Sequence, residues 1–83
     1  MRARQLIIDA ALPPNDLAVV LEAFEDAWAE IGPDVGSDHI LVEATRLTLA
    51  RIVLEKVTAV PLARGPLNAA AVAAFRARYR VGP

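Results

Sequence analysis

The stretch that most constrains the fold is DHILVEATRLTLARIVLEKVTAV, residues 38–60. At about 100° per residue its apolar side chains cover more than one side of a single helix, and only a narrow polar strip is continuous. A helix that is apolar on several sides belongs in a core or an interface. Charges from Glu43 to Lys56 exclude a membrane span, which needs about 20 mainly apolar residues. We therefore predict a long central helix over residues 38–59.

Two further helices are predicted, one on each side of the central one. Asn15 is a favourable N-cap for a helix over residues 16–31, and Gly32 followed by Pro33 is a typical stop. An alanine-rich helix over residues 67–80 follows the Gly65-Pro66 punctuation.

The segment before Pro13 is too short to assign by periodicity. It is a short helix or an edge strand, and Ala10 and Ala11 favour the helix. Together these elements predict an all-α fold: a small three-helix bundle with a long central helix and a short N-terminal segment. With 83 residues, the chain is expected to be one helical domain, 1–83.

Composition removes several classes of site. The chain has no cysteine, which excludes disulfides, iron–sulfur clusters and thiolate zinc sites. His39 is the only histidine, so few transition-metal sites remain and we expect no metal and no cofactor. The N-terminus lacks a signal-peptide pattern, and together with the absence of cysteine this favours the cytoplasm.

Three local patterns have ordinary structural interpretations. GPDVGS, residues 32–37, lacks the lysine and the glycine spacing of a phosphate-binding loop and predicts a turn with a helix cap. Ser37, Asp38 and His39 are consecutive, so they cannot converge as a hydrolytic triad. Acidic residues spaced by four from Glu22 to Glu30 indicate a solvated or ion-paired face, with weak binding of Ca²⁺ or Mg²⁺ as the alternative.

Charge is distributed unevenly along the chain. From Asp9 to Glu43 every charged residue is acidic, whereas from Ala44 onward basic residues dominate. The two halves can neutralise each other within one chain or across a dimer, or present separate faces to partners. Contacts to a partner or to phosphate are candidates at Arg76, Arg78 and Arg80.

These arginines support an alternative function as a nucleic-acid-binding or regulatory protein. Basic residues beside an aromatic such as Tyr79 can hold phosphate and stack a base. The pI near 5.7 argues against it, because nucleic-acid-binding domains are typically strongly basic.

The order of the segments carries a family resemblance. LEAFEDAWAEIG, then EATRLTLARIVLEKV, then an alanine-rich helix resembles short, uncharacterised all-α proteins of high-GC bacteria. An excess of arginine over lysine is typical of the same origin. The resemblance implies an all-helical fold and no activity or site residue.

The leading functional hypothesis concerns association. A chain this small cannot easily cover a helix that is apolar on several sides, so we expect a non-enzymatic module that forms a homodimer or binds another protein through the central helix. An enzyme is the remaining alternative, and no nucleophile–base pair supports it. No membrane association is expected. The candidate interface residues are Leu47, Ala50, Val53, Leu54 and Val57.

Overall fold

The computed structural model describes residues 2–79 and confirms the all-helical fold. Within that range the chain forms four helices: α1 (Arg2–Asp9), α2 (Pro14–Val35), α3 (His39–Lys56) and α4 (Arg64–Arg78). The prediction of three helices was therefore wrong by one, because the N-terminal segment forms a helix of its own.

The short helix α1 is held by two buried side chains one turn apart. Ala3 and Ile7 are buried while Gln5 and Asp9 face outward, where the Gln5 amide donates to the Asp9 carboxylate at 2.8 Å. Helix α1 packs against α3 and α2. Of the two alternatives for this segment, the helix is therefore confirmed and the edge strand is wrong. After α1, Ala11 turns the chain with φ of 59°.

Helix α2 is longer than predicted at both ends. It begins at Pro14, with Pro13 in place of Asn15 as the N-cap residue, because proline is tolerated in the first turn. It also continues through Gly32 and Pro33, although Pro33 lacks the N–H that would bond to the Ala29 carbonyl. Gly36, with φ of 90°, ends the helix, so the turn of GPDVGS is shorter than expected.

Gly32 serves side-chain packing and not helix termination. A Cβ at this position would lie 3.1 Å from Cε2 of Trp28, closer than ordinary van der Waals contact. The missing side chain therefore leaves room for the indole one turn earlier in the same helix.

Helix α3 begins as predicted and ends early. The Asp38 carboxylate accepts a hydrogen bond from the Leu41 N–H at 3.0 Å and caps the helix. Residues 57–59 form a turn and not helix, because β-branched Val57 and Thr58 are weak helix formers just ahead of Pro61. With 18 residues against 22 in α2, it is not the longest helix of residues 2–79, yet it packs against each of the other three.

Helix α4 begins three residues earlier than predicted, at Arg64, and takes Gly65 and Pro66 into its first turn. Hydrogen bonds connect its first residue to α2. Arg64 Nη2 donates to the Asp26 carboxylate at 2.8 Å, and Arg64 Nη1 donates to the Glu22 carboxylate at 3.3 Å. The helix ends at Arg78, and Arg80 lies outside the described residues.

One buried cluster draws on all four helices. Phe24 is the largest side chain in it that is completely buried. Trp28 is only partly buried and packs at the edge of the cluster. The fully buried larger aliphatic residues are Ile7, Val20, Ile31, Leu49, Ile52, Val53 and Leu67.

Removing the central aromatic ring should cost most of the stability. We expect Phe24→Ala to lower the free energy of unfolding by about 3–5 kcal/mol, because the small chain cannot collapse around the cavity. Ile8→Ala is the control: Ile8 is 44% exposed, and its removal should cost less than about 1 kcal/mol. Urea unfolding followed by circular dichroism checks both values, and equal losses would contradict this description of the core.

The Arg64–Asp26 contact should make stability depend on acid pH. The hydrogen bond from Arg64 lowers the pKa of Asp26 below its ordinary 3.8, so the unfolded chain binds that proton more readily than the folded one. The resulting stability is present above the ordinary pKa and is lost as pH falls through the lowered one. In urea titrations from about pH 5 to about pH 2, Arg64→Gln should therefore lose stability less steeply than the wild type.

Arg2→Gln is the matched control for that experiment, because it removes the same charge from an exposed arginine that makes no ion pair within residues 2–79. Its pH profile should run parallel to that of the wild type. Parallel profiles for all three proteins would show that the Arg64–Asp26 contact is not formed in solution.

Candidate interaction surface

The outward side of α3 carries a second row, made of four apolar residues and one arginine. Its buried residues occupy the opposite side of the helix: Arg46, Leu49, Ala50, Ile52 and Val53. The outward residues follow one another in alternating steps of four and three, and we call them the outer strip: Ile40, Ala44, Leu47, Arg51 and Leu54. This mean spacing of about 3.5 residues is typical of a helix that packs along a seam against another helix.

Among the apolar residues of the outer strip, exposure is higher in the first half than in the second. Ile40 is 82% exposed, more than any other large apolar residue of the described chain. Ala44 and Arg51 are exposed, whereas Leu47 and Leu54 are partly buried. Leu54 also touches the core cluster. The first half of the strip is therefore the part that the chain itself leaves uncovered.

The predicted interface residues divide between the two sides of α3. Ala50 and Val53 are completely buried in the core of the single chain. Leu47 and Leu54 belong to the outer strip, and Val57 is partly buried just beyond the helix. Ile40 was not among the predicted residues, although its spacing from Leu47 and Leu54 would have identified it.

A groove of about 390 Å³ lies beside the outer strip. The ends of α2 and α4 and the first half of α3 form its walls. Phe75 and Tyr79 contribute two rings with centroids 5.2 Å apart. The groove extends the apolar surface of the strip toward α4, because Ala44 belongs to both. The other apolar lining residues are Val35 and Leu41.

Polar groups at the groove are largely satisfied within the chain. The Thr48 hydroxyl donates to the carbonyl of Ala44 at 3.0 Å. At the rim, the Asp34 carboxylate lies 3.8 Å from the Arg76 guanidinium. Thr45 and Tyr79 complete the polar lining. The groove is thus mainly an apolar concavity with one neutralised charge pair at its edge.

Two of the three candidate phosphate-binding arginines contact carboxylates of the same chain. Arg76 pairs with Asp34, and Arg78 Nη2 donates to Glu55 at 2.9 Å. That hydrogen bond lowers the pKa of the Glu55 carboxyl. The two pairs hold the end of α4 to α2 and α3, so the charges that could attract an anion are already balanced. Arg80 lies outside the described residues.

Arg46 is the one charged side chain buried within the described residues, and the sequence reasoning did not identify it. Only 8% of it is exposed. Its guanidinium carbon lies 5.0 Å from the ring centroids of both Phe24 and Trp28, and Nη2 lies 3.5 Å from the Glu25 carboxylate. Its buried position could have been predicted from helical spacing, because position 46 precedes buried Leu49, Ala50 and Val53 by three, four and seven residues.

This arginine orients α2 against α3 at an energetic cost. Its Nε is buried and has no hydrogen-bond partner among residues 2–79. A buried charged group that is incompletely paired loses hydration that its contacts only partly replace. Stacking on two aromatic rings offsets part of that loss.

The remaining candidate groups serve structural purposes or stay apart. Asp38 caps α3, and Ser37 and His39 are exposed without a hydrogen bond between them. Glu22 and Asp26 of the acidic row bind Arg64. Over residues 2–79, acidic and histidine side chains do not gather in groups of three that could hold a metal ion. Nor is any helix in this range long and apolar enough to cross a membrane.

Comparison with protein-family models, with curated proteins and with solved structures gave no match. Among residues 2–79, the outer strip begins at Ile40, the most exposed large apolar residue, and adjoins the apolar groove.

Two substitutions of Arg46 should distinguish what its packing contributes to stability from what its charge contributes. We expect Arg46→Met to leave the free energy of unfolding unchanged or to raise it by about 1 kcal/mol, because methionine fills the same space without the unsatisfied Nε. Arg46→Ala should lower it by about 2 kcal/mol through lost packing on Phe24 and Trp28. Urea unfolding monitored by Trp28 fluorescence measures both, and equal destabilisation by the two changes would contradict this interpretation.

Proposed function

We propose that this chain is a non-enzymatic helical protein that forms a homodimer through the outer strip of α3. The observation that carries the proposal is the exposure of Ile40 at the start of a strip with seam-like spacing. Burying an isoleucine of this exposure stabilises an association by up to about 1.5–3 kcal/mol. Leu47 and Leu54 continue the same row along the helix.

The position of the exposed apolar residues supports the proposal, and the total accessible surface does not. That surface, 4965 Å², is close to the roughly 4,800 Å² expected for a compact monomer of 8.9 kDa. Single exposed apolar residues are ordinary. Here the highly exposed Ile40 and the exposed Ala44 continue into partly buried Leu47 and Leu54, with an apolar groove beside them, and a contiguous apolar surface of this kind is typical of an interaction site.

A second copy of the chain is the partner that this strip fits best. A straight row on one helix is self-complementary, because a twofold rotation places it against an identical row. Helix α3 is about 27 Å long, so the row can be covered by one helix of equal length. An interface one helix wide is near the lower end of stable interfaces, and the dimer should therefore dissociate on dilution.

The non-enzymatic part of the proposal has separate support. His39, the only histidine, is exposed on the first turn of α3 and makes no hydrogen bond to a side chain of residues 2–79. A nucleophile needs a base within hydrogen-bond reach, and the polar groups near His39 are engaged elsewhere, as Asp38 is in the helix cap.

Light scattering coupled to size exclusion, over a range of protein concentrations, tests the proposal. The wild type should have the mass of two chains at high concentration, and this mass should persist at high salt because the contact is apolar. Ile40→Asp should give a monomer, since a carboxylate buried in the seam loses its hydration without a partner.

Ile8→Asp is the matched control, because Ile8 is an exposed isoleucine on α1 outside the outer strip. It should remain dimeric. The proposal is wrong if the wild type is monomeric at every concentration, or if both variants dimerise equally well.

A further inference from the structure

We infer that the two copies pack α3 against α3 in antiparallel orientation, with the twofold axis passing beside Leu47. This inference rests on the proposed homodimer and adds the orientation and register of its interface. It is carried by two charged residues of α3: Arg51, which is a member of the outer strip, and Glu43, which lies beside the strip.

The apolar residues of the strip match under this arrangement. Leu47 is the midpoint of the strip, with Ile40 seven residues before it and Leu54 seven after it. Leu47 would then face Leu47 of the partner subunit, and the exposed Ile40 would face Leu54 of the partner subunit. Small Ala44 leaves space for the aliphatic stem of Arg51 of the partner subunit.

Charges select the antiparallel orientation over the parallel one. Glu43 lies four residues before Leu47 and Arg51 four residues after it. An antiparallel pair therefore sets Glu43 against the partner's Arg51 on both sides of the axis. A parallel pair in register would set Glu43 against Glu43 and Arg51 against Arg51, and like charges facing each other weaken a helix pair.

Both charges are available for this purpose within residues 2–79. Arg51 is exposed, Glu43 is partly buried, and neither forms an ion pair with another described side chain. The other charged residue on this side of α3, Glu55, pairs with Arg78 of α4. The unused acid and base on one face match each other in a twofold antiparallel pair.

Disulfide trapping tests the orientation. Any disulfide must form between introduced cysteines, because the chain itself has no cysteine. Ile40→Cys and Leu54→Cys are made separately and then mixed under mild oxidation. We expect the mixture to yield a disulfide-linked pair containing one chain of each variant, identified by mass. Neither variant alone should link to itself. Self-linking of each variant alone would instead indicate a parallel pair and overturn the inference.

Charge reversal tests the register by a different route. Glu43→Arg and Arg51→Glu should each raise the dimer dissociation constant at least about tenfold, because each creates two like-charged contacts. The double variant should return to within about threefold of the wild type. Circular dichroism of every variant shows whether the fold is retained. Single variants that dimerise as well as the wild type would overturn the register.

Failure of this inference and failure of the homodimer give different results. If the wild type is monomeric by light scattering, the proposed function itself is wrong. If the wild type is dimeric, yet the mixed cysteine variants do not link and the charge reversals have no effect, the homodimer stands and the antiparallel pairing about Leu47 is wrong.

Discussion

The arrangement of residues 2–79 depends on how helix α3 packs against α1, α2 and α4. One side of α3 is committed to this core. Ala50 and Val53 are completely buried there, and Arg46 lies between two aromatic rings of α2. In the outer strip, Ile40 and Ala44 stay exposed, and Leu47 and Leu54 are only partly buried. Their row along the outward side follows from this division.

Ion pairs hold the periphery of the molecule together. Arg64 forms an ion pair that links the start of α4 to α2. At the end of α4, the ion pairs of Arg76 and Arg78 link it to α2 and α3. The acidic first half and basic second half of the chain therefore neutralise each other in the folded state. Exposed pairs of this kind add little stability individually, and their arrangement mainly sets where α4 lies.

Most charged residues near α3 have a partner in the same chain, as Arg46 has in Glu25 and Glu55 in Arg78. Glu43, beside the outer strip, and Arg51, within it, have no ion-pair partner among residues 2–79. In a dimer, one interface would bury the apolar residues of the strip and pair these two charges.

Periodicity predicted much of the fold, because apolar spacing decides which segments are helical. The three longer helices were located by it, and the predicted start of α3 at residue 38 was within one residue of the observed start at His39. Predicted boundaries failed where a local signal has two meanings. Gly32 and Pro33 are a typical stop signal, but α2 continues through both, and the glycine accommodates Trp28.

The interaction surface could be predicted only in part from the sequence. The apolar character of α3 indicated that something must cover it, yet which residues face the core depends on where the other three helices lie. Ala50 and Val53 were therefore grouped with Leu47 and Leu54, and Ile40 was missed. The place of Arg46 among buried neighbours was present in its spacing, but its aromatic partners belong to another helix.

Amide hydrogen exchange at low and high protein concentration tests the central claim most directly. If the outer strip is the dimer contact, the amides of the first half of α3 should exchange more slowly at high concentration, while those of α1 and α4 stay unchanged. Exchange in α3 that does not depend on concentration would show that its outward side remains in water. The strip would then not be an interface between copies of this chain.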